Sequence, residues 1–158
     1  TKKFIWTTQM HAAFEQVKQM ITADAHLSYP DHNIPFDVET DASDFQMGAV
    51  IKQKGKPVAY FSRKLSTAQR NYSTIEKEIL SIVEVLKEFR SMLLGSTLTI
   101  HTDHRNLTFP AQHTQRVLRW RLFIEEYHPV FKYIPGSQNI LADFYHVRHY
   151  WRRRKPTP

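Results

Sequence analysis

The chain has 158 residues, 41% of them hydrophobic and 13% aromatic, which is enough for one substantial core and argues against disorder. It contains no cysteine, so disulfides and thiolate zinc sites are excluded. A net charge of +7 favours a polyanionic partner such as nucleic acid. The lack of cysteine is compatible with a reducing, intracellular compartment. We expect no membrane partner, because no apolar run reaches the roughly 20 residues that span a bilayer.

The amino-terminal segment predicts an amphipathic helix capped by Thr7 or Thr8. Its apolar residues recur at helical spacing: Ala13, Phe14, Val17, Met20 and Ile21. Two prolines with Asp and Asn in Tyr29–Pro35 predict a turn or linker. We therefore predict three parts: a tether at 1–33, the main domain at 34–148 and a basic carboxyl-terminal tail at 149–158.

The next segment carries strand signals. Alternating apolar and polar residues at Phe36–Thr40 predict a half-buried strand. Two β-rich runs, Met47–Gln53 and Pro57–Lys64, flank the glycine-containing turn Lys54–Lys56, which is typical of a hairpin. The pattern predicts a three-stranded antiparallel meander.

The period then changes to that of a helix. Apolar residues recur every three to four positions over Ser66–Arg90, which predicts one long core helix that ends before Gly95. The remaining predicted elements are a strand at Thr97–Asp103, a helix at Thr114–Tyr127, a strand at Val130–Ile134 and a last helix from about Asn139. The order βββαβαβα predicts an α/β fold in which helices flank one central sheet.

Four acidic residues occupy unusual places in this layout. Asp41 ends the first predicted strand and Asp103 ends the fourth, and open α/β sheets bind ligands at strand ends. Glu78 shares the apolar stripe of the long helix, so we expect it nearer the core than its neighbours Lys77 and Glu84. Asp143 lies in the first turn of the last predicted helix. Taken singly, each acid is also explained as a turn former or a helix cap.

Convergence of the four carboxylates would create an all-oxygen site in which like charges raise one another's pKa. Magnesium prefers such ligands, and two ions roughly 3.5–4 Å apart form a known clamp for phosphodiester hydrolysis. The joint order of the acids therefore favours a site for two Mg²⁺ ions, with Mn²⁺ as a substitute and no small-molecule cofactor.

Five sequence runs, and the order in which they follow one another, are typical of one family: TDASDFQMGAVI, KPVAYFSRKLSTAQRNYSTIEKEILSIV, TDHRNL, RVLRWRLFIEEY and YIPGSQNILAD. They resemble the ribonuclease H region of gypsy-class LTR retrotransposon polyproteins. The amino-terminal run FIWTTQMHAAFEQVKQMI is similar to the connection that follows reverse transcriptase. The resemblance implies a ribonuclease H-like fold with a five-stranded mixed sheet. It also implies metal-dependent cleavage of the RNA strand of RNA–DNA hybrids during reverse transcription, with the hybrid duplex and the polymerase domain of the same polyprotein as partners. The location that it implies is the cytoplasm, a virus-like particle or the nucleus.

Residue roles follow from the resemblance by position. It implies that Asp41 bridges both metals, that Glu78 and Asp103 join the ion nearer the leaving group, and that Asp143 joins the ion holding the attacking water. Glu76 is the rival for the helix position. We prefer Glu78, because EILSIVEVL resembles the family's glutamate with its following apolar and small residues.

Two departures from the family pattern leave an alternative open. The loop PGSQN is short and lacks the histidine that many ribonucleases H carry before the last acid, and FYHV follows Asp143 where the family usually continues Ala-Leu-Ser-Arg. The alternative is a domesticated or catalytically silent module that binds nucleic acid or protein as a structural subunit. A transposase or integrase on the same fold is disfavoured, because its glutamate follows the second aspartate, whereas Glu78 precedes Asp103.

Polar residues near the expected site are candidates for contacts with sugar hydroxyls and phosphates: Ser43, Asn71, Tyr72, Ser73, Arg105 and Asn106. A second candidate set could track phosphates along one helix: Arg116, Arg119 and Arg121. Turn formation and helix capping are the alternative roles for the first set.

Overall fold

The computed structural model describes residues 7–24, 27–103 and 114–134. Its helices and strands are, in chain order, α1 (Thr8–Asp24), β1 (Phe36–Ala42), β2 (Gln46–Gln53), β3 (Lys56–Lys64), α2 (Thr67–Arg70), α3 (Thr74–Glu88), α4 (Arg90–Leu93), β4 (Leu98–Thr102), α5 (Gln115–Glu125) and β5 (Val130–Tyr133). The last predicted helix and the basic tail at 149–158 lie outside the described residues.

The five strands form one mixed sheet in the order β3-β2-β1-β4-β5. The β1–β2 and β2–β3 pairs are antiparallel, which confirms the predicted meander, and the β1–β4 and β4–β5 pairs are parallel. At the β2–β3 turn, Lys54 and Gly55 adopt positive φ angles of 49° and 75°. Such a turn matches the right-handed twist of its flanking strands.

The prediction of one helix over Ser66–Arg90 is wrong, because the segment forms α2, α3 and α4. Ser66 and Ser73 each begin a helix with a capping box, completed by Gln69 and Glu76 respectively. Such boxes satisfy the amide groups of a helix start, so they stabilise two separate starts within a pattern that is helical throughout. The chain turns at Gly95, whose φ is 81°, before β4.

The core lies between one face of the sheet and α3, with α5 packed on α3. The central strand β1 contributes Phe36 and Val38 to it, and both are almost completely buried. The hydroxyl of Tyr127, just after α5, donates to the backbone oxygen of Leu86 at 3.0 Å. This packing holds α3 against β1 and β2.

The predicted amino-terminal helix is confirmed as α1, although Ala13 of its predicted apolar stripe is exposed and Phe14 is half-buried. The other predicted stripe residues, Val17, Met20 and Ile21, are outside the described side chains. No helix in the described ranges is long and apolar enough to cross a membrane.

The linker after α1 is tied to the sheet by one buried side chain, Gln53 at the end of β2. Its Oε1 accepts from the backbone N–H of Asp31 at 2.9 Å. Its Nε2 donates to the backbone oxygens of Asp31 and Ile34, both at 2.7 Å. These bonds fix the point at which the chain enters β1.

Candidate active site

Two of the predicted acids meet where neighbouring parallel strands end. In the β1–β4 pair, Glu39 lies opposite His101, so Asp41 and Asp103 follow at the same level two residues further on. Adjacent strands are about 4.8 Å apart. The sheet topology therefore brings both aspartates to one edge, with Asp41 also paired to Gly48 of β2.

The third acid reaches this edge from α3. Glu78 is buried, with 2% of its surface exposed. Burial, followed by the charges of Asp41 and Asp103, raises the pKa of Glu78 from 4.5 to about 9, while the backbone N–H of Ala42 donates to the carboxylate and lowers this pKa. Three carboxylates from β1, α3 and the end of β4 therefore interact electrostatically.

Glu76, the rival for the helix position, has a different role. Its Oε2 accepts from the backbone N–H of Ser73 at 3.0 Å and from the Ser73 hydroxyl at 3.1 Å. Its Oε1 lies 3.5 Å from Nη1 of Arg116 on α5. Glu76 thus caps α3 and links it to α5, whereas Glu78 faces the strand ends.

The chemistry of the donor set fits hard divalent cations. Asp41, Glu78 and Asp103 offer only carboxylate oxygens. The negative charges of Asp41 and Asp103 disfavour the ionised form of the buried Glu78. Within the described ranges, no three acidic or histidine side chains approach closely enough to form a metal site by themselves. Asp143, the fourth predicted ligand, lies outside those ranges.

Lys77 is also buried, although Glu78 lies nearer the core, as expected, with 2% of its surface exposed against 6% for Lys77. The Nζ of Lys77 lies 2.7 Å from Oδ1 of Asp44 in the turn between β1 and β2. A buried lysine is usually paired in this way. The ion pair joins α3 to that turn, one residue before Glu78.

Ser43, a predicted substrate contact, organises the same turn. Its hydroxyl donates to the backbone oxygen of Gln46 at 3.1 Å and accepts from the N–H groups of Phe45 and Gln46 at 3.3 and 3.1 Å. The side chain of Ser43 therefore acts within the turn in this structure.

The other predicted contacts fall into two groups. Ser73 caps α3, Asn71 ends α2, and the guanidinium of Arg116 stacks over the ring of Tyr72, with Cζ 4.3 Å from the ring centre. Asn71, Tyr72 and Ser73 lie at the start of α3, within two helical turns of Glu78. Arg119 on α5 is exposed and Arg121 is half-buried. Arg105 and Asn106 lie outside the described residues.

Phe45 was not among the predicted contacts. This residue is 65% exposed in the turn that follows Asp41, and the guanidinium carbon of Arg70 lies 5.4 Å from its ring centre. A large aromatic residue within the otherwise polar run TDASDFQ was the available signal.

Known proteins are similar to this chain in sequence and in fold. Residues 31–127 match the family described as the RNase H-like domain found in reverse transcriptase. The retrovirus-related Pol polyprotein from transposon gypsy of Drosophila melanogaster is 38% identical over 136 residues, which is 83% of this chain and 13% of the polyprotein. The chain thus spans a small part of that relative's length.

Two solved structures show the same fold at low identity. A foamy viral protease-reverse transcriptase in complex with RNA/DNA hybrid has a TM-score of 0.58 and 19% identity, over 84% of this chain and 19% of that one. LC11-RNase H1, isolated from compost by a metagenomic approach, has a TM-score of 0.55 and 14% identity, over 71% of this chain and 91% of that one. The predicted family and the predicted ribonuclease H-like fold are confirmed: the chain belongs to the RNase H-like domains of retrotransposon reverse transcriptases.

Proposed function

We propose that this domain hydrolyses the RNA strand of RNA–DNA hybrids in a reaction that depends on two magnesium ions. The observation that carries the proposal is the buried Glu78, whose pKa is raised to about 9 by burial and by the charges of Asp41 and Asp103. A fold keeps so unfavourable a group when the ionised carboxylate has a use, and perturbed carboxylates in a cleft are typical of catalytic sites.

The residues that would hold the ions are Asp41, Glu78, Asp103 and Asp143, with Mn²⁺ as an alternative metal. When bound, the ions supply an activated water and charge stabilisation at the phosphate. The protein's own contribution is positioning. Strands β1 and β4 fix the two aspartates at one level, and the backbone N–H of Ala42 orients the Glu78 carboxyl. Without cations, Glu78 holds a proton at neutral pH.

The proposed substrate follows from the family and the charge. The chain carries +7 overall, and a reverse transcriptase that shares its fold has been captured with an RNA/DNA hybrid. We propose the hybrid duplex and the polymerase domain of the same polyprotein as partners. Discrimination for RNA would come from contacts with 2′-hydroxyls, which DNA lacks.

The test is single-turnover cleavage with the protein in excess over substrate, so that weak binding does not mask the chemistry. The substrates are one sequence prepared as an RNA–DNA hybrid, double-stranded RNA, single-stranded RNA and double-stranded DNA, with each strand labelled in turn. We expect internal cuts in the RNA strand of the hybrid alone, with Mg²⁺ or Mn²⁺ and not with EDTA.

The alternative, a catalytically silent module, predicts a different result. It predicts hybrid binding without cleavage at any concentration of either metal. Cleavage that persists in EDTA, or equal cleavage of single-stranded RNA, would contradict the proposed reaction. A double-alanine change of Asp41 and Asp103 serves as the control for a contaminating nuclease.

A further inference from the structure

The turn between β1 and β2 presents a large aromatic side chain to solvent. Phe45 is 65% exposed, and the guanidinium of the exposed Arg70 lies over its ring, 5.4 Å from the ring centre. Leaving an aromatic ring in water forgoes the free energy of burying it, which contact with a ligand would recover, and aromatic side chains contribute much of the contact energy of interfaces. The pair therefore offers an apolar face beside a positive charge.

The turn that carries Phe45 is held firmly. The Ser43 hydroxyl accepts from the Phe45 N–H at 3.3 Å, and the backbone oxygen of Phe45 accepts from the N–H of Leu65, after β3, at 2.9 Å. The preceding residue, Asp44, forms an ion pair with the buried Lys77 at 2.7 Å. A ring on a fixed turn loses little conformational freedom when it contacts a ligand.

The same turn adjoins the three carboxylates. It directly continues the strand that holds Asp41, and the N–H of Ala42 donates to Glu78. Its ion pair to α3 uses Lys77, the residue beside Glu78. A duplex whose scissile phosphate lies at the carboxylates therefore passes within reach of Phe45, since the turn is only a few residues, at about 3.3 Å each, beyond Asp41.

We infer that Phe45 packs against the sugar rings of the bound hybrid in its minor groove, while Arg70 contacts a neighbouring phosphate. The inference rests on the proposed function, because it takes its ligand from there. A-form-like duplexes have a wide, shallow minor groove that displays sugars, and phenylalanine is among the apolar residues that proteins place in minor grooves. The ring would thereby set the depth and register of the duplex over the carboxylates.

The experiment separates the aromatic contact from the ionic one by salt. Binding of a fluorescein-labelled RNA–DNA hybrid of 18 base pairs is followed by anisotropy in EDTA at several salt concentrations. We compare the parent with Phe45→Ala, Phe45→Trp and Arg70→Gln. Tyr29→Ala is the matched control, because Tyr29 is an aromatic residue 97% exposed in the linker before β1.

We expect Phe45→Ala to weaken binding about tenfold, near the lower end of the range for base–aromatic stacking on single strands, because the ring would contact sugars and not bases. The slope of log Kd against log salt should not change, because no charge is lost. Arg70→Gln should flatten that slope by about 0.9, the value for one phosphate contact on a B-form duplex. Phe45→Trp and Tyr29→Ala should bind like the parent, and circular dichroism should show every variant folded.

Equal affinities of Phe45→Ala and the parent would overturn the inference. A loss of affinity in Phe45→Trp as large as that in Phe45→Ala would overturn it too. If Phe45→Ala misfolds, the affinity of Phe45→Trp relative to the parent decides between the two outcomes. The proposed function fails separately, when the parent binds the hybrid and does not cut it. If the parent cuts the hybrid and Phe45→Ala binds and cuts equally well, only this inference fails.

Discussion

Replacing Glu78 by glutamine should change how the stability of the metal-free domain depends on pH. The pKa of Glu78 is about 9 in the folded chain against 4.5 for the free group, because of burial and the nearby charges of Asp41 and Asp103. Between these two values the folded state binds a proton that the unfolded state lacks. The contribution of Glu78 to stability is therefore fully present below pH 4.5 and is lost as the pH rises towards 9.

The expected size follows from the shift. Each pH unit in this window costs about 1.4 kcal/mol, so the parent should lose about 4 kcal/mol between pH 5 and pH 8 through Glu78. Glutamine carries no titrating proton, so Glu78→Gln should lack this loss. The difference between the two free energies of unfolding isolates the contribution of Glu78 from that of all other groups.

The assay is urea unfolding in EDTA at pH 5, 6, 7 and 8. Glu76→Gln is the matched control, because glutamine also completes a capping box and this variant should shift stability by a small, constant amount. Adding Mg²⁺ should flatten the decline of the parent, since a cation favours the ionised carboxylate. If the parent and Glu78→Gln change in parallel from pH 5 to pH 8, the reasoning about the buried carboxylate is refuted.

Other predictions test the remaining parts of the account. Asp41→Asn should abolish cleavage yet leave metal-free stability unchanged or higher, because it removes a charge that disfavours ionised Glu78; parent-rate cleavage of the hybrid would contradict this. Gln53→Ala should lower the free energy of unfolding by about 1–3 kcal/mol in urea titrations, because it removes three hydrogen bonds between a buried side chain and the linker, and an unchanged midpoint would argue against it. Deleting Arg152–Lys155 should flatten the salt dependence of hybrid binding by a few units if the tail tracks phosphates, whereas an unchanged slope would exclude the tail.

The meander and the positions of Asp41 and Asp103 at strand ends could be predicted because they depend on local patterns. Alternation at Phe36–Thr40 and the glycine-containing turn at Lys54–Lys56 specify the meander, and its observed strands extend the predicted ones by at most two residues at an end. Asp41 and Asp103 were predicted at strand ends, whereas the pairing of β1 with β4 that brings them together belongs to the fold that the family resemblance implied. The expectation that Glu78 lies nearer the core follows from its apolar stripe, and the structure does bury it.

The remaining features depend on contacts that no spacing rule contains. The interruption of the long helix comes from competing caps at Ser66 and Ser73, which a helical period conceals. Lys77 is buried because its amine reaches Asp44, 33 residues away in sequence. The sequence also does not specify that the Ser43 hydroxyl bonds within its own turn and that Phe45 is the exposed group there.

The most direct test of the carboxylate site is the cleavage rate of Glu78→Gln beside that of Glu76→Gln. Both changes replace one carboxylate by an amide on the same helix, two residues apart, so they differ in location and not in chemistry. Under single-turnover conditions with Mg²⁺ and a labelled RNA–DNA hybrid, Glu78→Gln should reduce RNA-strand cleavage by at least about 100-fold, the loss of a group that stabilises the transition state. Glu76→Gln should retain most of the parent rate. The reverse ranking, or equal activity of Glu78→Gln and the parent, would contradict the account.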